Sequence, residues 1–73
     1  MYRLGDRVFH EEYGWGCLKR VESDESNRYR MARVEFPHRL TRMILLPTPR
    51  LKTAREFMKL PREERIRLLR NTV

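Results

Sequence analysis

The sequence predicts a small, mainly β domain, a barrel of four to five short strands followed by a C-terminal α-helix. Three observations lead there. The chain has 73 residues, enough for one domain at most. Short runs divided by turn residues alternate with a period of two, Val8 and His10 against Arg7 and Phe9, and again the apolar Ala32, Val34 and Phe36 against their neighbours. From Leu51 onward the period changes to a helical one. Short strands at close spacing are the pattern of a small barrel.

Gly5 and Asp6 open the first strand, in which Val8 and His10 face inward and Phe9 faces outward. Tyr13-Gly14-Trp15-Gly16 reads as a hairpin tip, with two glycines free to take positive φ. Leu18 and Val21 resume the apolar pattern three apart rather than two, which predicts a β-bulge near Lys19 or Arg20. Residues 22–27 are polar throughout and predict a loop. The third strand, over 29–36, puts Ala32, Val34 and Phe36 on one face and Met31, Arg33 and Glu35 on the other. Pro37 ends it. Residues 40–46 form the fourth strand, whose run Met43-Ile44-Leu45-Leu46 predicts cover on both faces.

Pro47 and Pro49 force an extended connection. Thr53 caps a short helical turn over 54–58. Pro61 starts a second helix with Glu63 and Glu64 in its first turn and Arg67 and Arg70 in its last, matching the helix dipole. Ile66, Leu69 and Val73 would line its apolar face beside Leu68, and Glu63 and Arg67 would pair across one turn. A helix of about ten residues does not persist alone in water, so it must dock. The chain therefore divides into a barrel over 1–51 and a basic helical extension over 52–73, packed on the barrel or binding a partner.

The charge balance narrows the function. Seventeen basic residues, fourteen of them arginine, stand against ten acidic ones, for a net +7. Arginine suits planar contact with phosphate or carboxylate, which points to a polyanionic partner, nucleic acid or an acidic protein face. A plainly solvated arginine surface is the other reading. No apolar run reaches the ~18 residues of a membrane span. A single cysteine and no signal pattern predict a cytoplasmic protein.

The stretch Gly5-x-Arg7-Val8-x-His10-x-x-Tyr13-Gly14-x-Gly16-x-Leu18-x-x-Val21-Glu22, with Val34, Phe36 and Pro49-Arg50-Leu51 further on, resembles the C-terminal Tudor-like (SH3-type barrel) domain of UvrD/PcrA-type DNA helicases. More distantly it is similar to CarD-type RNA-polymerase-interacting domains. The resemblance covers about two-thirds of the chain and implies an SH3/Tudor-like barrel that docks a protein partner such as RNA polymerase or a DNA-repair or helicase component. Nucleic-acid contact is also implied. The chain departs from the pattern at Phe9 and Trp15, and no G-x-x-x-x-G-K-[ST] phosphate loop is present.

The candidate sites follow. Phe9, Trp15, Met31 and Arg33 are the partner-binding set, since an exposed aromatic beside arginine has the makeup of a hot spot. The competing reading is that the C-terminal helix folds back over Phe9 and Trp15. Arg20, Arg30 and Arg33 on the strands, with Arg62, Arg65 and Arg70 in the tail, are the nucleic-acid-binding set of the alternative function. Residues 51–73 carry +4 of the net charge, seven basic against three acidic residues. His10 and Cys17 invite a dyad, but no orienting group or oxyanion site accompanies them, so His10 reads as a hydrogen-bonded core residue and Cys17 as a small buried one. No catalytic residue, metal site or cofactor is expected: one Cys and two His at these spacings match no zinc pattern.

Overall fold

The computed structural model describes residues 3–26 and 28–72. Its elements run β1 (Arg7–His10), β2 (Gly14–Ser23), β3 (Arg30–Phe36), β4 (Leu40–Leu46), β5 (Leu51–Thr53), α1 (Ala54–Lys59) and α2 (Arg62–Asn71). All strand pairs are antiparallel, in one five-stranded sheet of order β4-β3-β2-β1-β5.

Alternation builds the inner face. Val8, Leu18, Ala32, Val34, Phe36, Ile44, Leu46 and Leu51 form one buried cluster that draws on every strand. Side chains from the two edge strands meet in that cluster, so the sheet curls around its own inner face. The expected barrel is not closed, however. Among the described residues β4 bonds only to β3 and β5 only to β1, leaving an open, curled sheet. The bulge falls where the Leu18–Val21 spacing predicts it, as a register shift between Leu18 and Arg20. It returns Val21 to the inner face, opposite Ala32.

Several boundaries move. The turn after β1 is Glu11–Tyr13, and β2 already begins at Gly14. The two glycines therefore do different work. Gly14 has φ +83° and opens the strand; a Cβ on Gly16 would lie 2.7 Å from Val34 Cγ1 and Phe36 Cδ1, so glycine there admits the core. The strand β2 runs on to Ser23, shortening the predicted loop, and Asn27 lies outside the described residues. The β4 bounds match, but Met43 and Leu45 stand open to solvent, so this strand is covered on one face only. Leu51–Thr53 adds a strand too short for periodicity to reveal.

Thr53 does cap α1: its hydroxyl accepts from Glu56 N at 3.1 Å and Glu56 Oε1 accepts from Thr53 N at 3.0 Å, a capping box. In α2 the buried residue is Leu68, whereas Ile66 and Leu69 are exposed and Val73 lies outside the described residues. The predicted Glu63–Arg67 pair is replaced by Glu64–Arg67, with Arg67 Nε donating to Glu64 Oε2 at 3.2 Å. No helix among the described residues is long and apolar enough to cross a membrane.

Candidate binding site

The outer face of the sheet begins with Phe9 and Trp15, cross-strand partners on β1 and β2. Partners across an antiparallel pair share a face, so both rings point away from the main core. They do not point to solvent. Phe57 of α1 packs on Phe9 with ring centroids 4.5 Å apart and meets Trp15 edge-on at 5.0 Å, while Phe9 and Trp15 form a T-shaped pair at 5.3 Å. Leu68 of α2 and Leu60 complete a second small core. Phe9 is fully buried and Trp15 half-buried. The expectation that Phe9 offers itself to a partner is therefore corrected: the alternation rule gives its face, and α1 and α2 cover that face. Trp15 keeps some exposed surface, with the Arg7 guanidinium 5.0 Å from its ring centroid.

Beyond the bulge the outer face is bare. The cross-strand rows there are Glu22–Met31–Leu45 and Arg20–Arg33–Met43. Met43 and Leu45 are about half exposed, at 48% and 53%, and Met31 is half-buried between Glu22 and Leu45. Arg20 and Arg33 sit directly opposite one another, an arrangement that costs stability in a sheet. Arg20 Nε meets Glu22 Oε1 at 2.9 Å; Arg33 makes no ion pair among the described residues. Met31 and Arg33 thus occupy one open face with Arg20, and Met43 and Leu45 extend it. Those two were missed because a continuous apolar run reads as a covered strand; β4 is an edge strand covered on one side.

The arginines of the alternative set are not on one face. Arg30 has the inward parity of Ala32 and Val34, opposite to that of Arg33, and it opens toward the cleft beneath the β4–β5 turn. In α2, Arg62 and Arg70 are exposed, whereas Arg65 is half-buried, its Nη1 donating to Met58 Sδ at 3.9 Å and its Nε buried without a hydrogen-bond partner.

His10 and Cys17 are separated by the sheet itself. His10 pairs with Gly14 and faces the core, while Cys17 pairs with Arg7 on the outer side, three rungs or about 10 Å along the ladder. His10 is buried, stacks on Tyr13 at 4.8 Å and accepts from Glu12 N through Nδ1 at 3.0 Å. Burial holds its imidazole below the ordinary value, against the opposing pull of Glu12. Cys17 is half-buried rather than buried, with Sγ 3.7 Å from Gly5 O. Among the described residues no three His, Cys, Asp or Glu side chains converge as a metal site.

No protein-family model, curated protein or solved structure matches the chain.

Proposed function

We propose that the chain is a non-enzymatic adaptor of the Tudor-like type that docks a protein partner, RNA polymerase or a DNA-repair or helicase component, on the bare outer face of β2, β3 and β4. The observation that carries this reading is the cross-strand pairing of Arg20 with Arg33 beside Met31, Met43 and Leu45. Two like charges set opposite one another destabilise the sheet, a cost that Glu22 relieves at Arg20 but not at Arg33, and half-exposed methionine and leucine gain nothing from water. Both costs are offset when an acidic, apolar surface settles on the face. Methionine adapts its shape to such a surface, and arginine fits carboxylates bidentately. The named partners come from the sequence resemblance over residues 5–51.

Fluorescence anisotropy of the labelled protein against purified RNA polymerase from the same cells checks this. Arg33→Glu should weaken binding by about tenfold or more, and Met31→Ala by a smaller factor. Binding by both variants equal to that of the parent removes the proposed face. The alternative, nucleic-acid binding through Arg20, Arg30, Arg33, Arg62, Arg65 and Arg70, draws less support because these side chains are split between the two faces of β3 and the tail helix. It predicts affinity for an oligonucleotide that falls steeply with salt.

A further inference from the structure

A second concave region of the described residues lies away from the outer face. It is a cleft of about 710 Å³ between the start of β3, the Pro47–Pro49 turn and the end of α1. Its charged lining is one-sided. Arg28, Arg30, Lys52 and Lys59 reach it, against one carboxylate, Glu56. That carboxylate is already committed to Thr53 N in the capping box, and the hydrogen bond holds its pKa down. Lys52 donates to Pro49 O and has Glu11 Oε1 at 3.8 Å, whereas Arg28, Arg30 and Lys59 have no ion-pair partner among the described residues.

Apart from Thr48, whose hydroxyl accepts from Arg50 N at 3.2 Å, the rest of the lining is aliphatic. It comprises the buried Leu46 and Leu51 together with Pro47, Pro49 and Leu60. No aromatic ring among the described residues lines the cleft, so they offer no platform on which bases stack. A nucleic-acid strand would satisfy the cations and leave the aliphatic walls wet. A peptide with aliphatic side chains among its carboxylates meets both: carboxylates at the cationic rim, aliphatic groups against Leu60 and the prolines.

We propose that this cleft is a docking site for an acidic segment of a partner protein that carries aliphatic side chains between its carboxylates. The inference goes beyond the outer-face reading and does not depend on it, because Arg33 and Met31 face the other side of the sheet.

The test uses three fluorescent probes of equal charge at low salt: a short peptide alternating acidic pairs with single leucines, an oligoglutamate, and an oligothymidylate. The acidic leucine peptide should bind at least about tenfold more tightly than either of the others. Arg30→Glu and Lys59→Gln, each checked for an unchanged circular dichroism spectrum, should each weaken it several-fold, and Arg39→Gln, at the exposed β3–β4 turn beyond the other end of β3, should leave it unchanged. Oligothymidylate binding as tightly as the peptide would make the cleft a nucleic-acid site and overturn the proposal. Equal binding of oligoglutamate would reduce it to general charge attraction. Peptide affinity insensitive to both cleft variants would place the peptide elsewhere.

Discussion

Phe9 and Arg33 lie on the same outer face of one sheet, and the two halves of that face are built differently. Around Phe9 the face is aromatic, and α1 and α2 lie over it, so Phe9, Trp15 and Phe57 make a three-ring core behind the main one. Around Arg33 the face is methionine, leucine, arginine and glutamate, and nothing in the described chain covers Arg33, Met43 or Leu45. Large rings gain most from being taken out of water, and they sit where the chain supplies its own cover. Flexible and charged side chains sit where cover would have to come from outside. The aromatic half therefore answers to folding, and the bare half is the one we propose for binding.

Substitutions on the two halves should separate these roles. Phe9→Ala carries the largest expected effect: removing a fully buried ring shared by two helices should cost about 3–5 kcal/mol in denaturant unfolding. For a domain of this size that leaves little or no folded protein. A loss below about 0.5 kcal/mol, the range of exposed positions, would mean that the helices are not seated there. Thr53→Ala removes the hydroxyl that caps α1 and so loosens Phe57 from Phe9; about 1 kcal/mol should be lost. On the bare half the sign should reverse. Arg33→Glu replaces a like-charge cross-strand pair with an opposite one and should raise stability by about 0.2–1 kcal/mol while it weakens partner binding. Destabilisation by Arg33→Glu would show that the bare half also serves the fold.

The local features of this division were legible in the sequence, and its long-range features were not. The three-residue spacing of Leu18 and Val21 announced the bulge, because a strand that keeps both residues on one face must absorb an extra residue. The Thr53–Glu56 cap is written within four residues, and the Ala32, Val34, Phe36 face within five. Strand alternation assigned Phe9 to the outer face, but whether that face is wet depends on helices some fifty residues away, and alternation has no term for them. The same limit applies to the cover of β4, whose bounds match but whose second face is open. Four apolar residues in a row describe a strand that is covered twice or one that lies at an edge beside a binding surface. The helix α2 was misjudged in a related way: its apolar face was drawn through Ile66 and Leu69, but seating against Phe9 and Phe57 turned Leu68 inward. Arg28, Lys52 and Lys59 come from three separate stretches and meet only once β3, the proline turn and α1 are assembled.

The most direct check on the covered half is acrylamide quenching of Trp15, the lone tryptophan, in the parent and in Leu68→Asp. An aspartate in place of Leu68 puts a charge in the aromatic core and should lift α2 from the sheet. Trp15 should be shielded in the parent relative to free tryptophan, with quenching that rises clearly in Leu68→Asp while strand circular dichroism persists. Quenching in the parent equal to that of free tryptophan, unchanged by Leu68→Asp, would contradict the division of the outer face into a covered and a bare half.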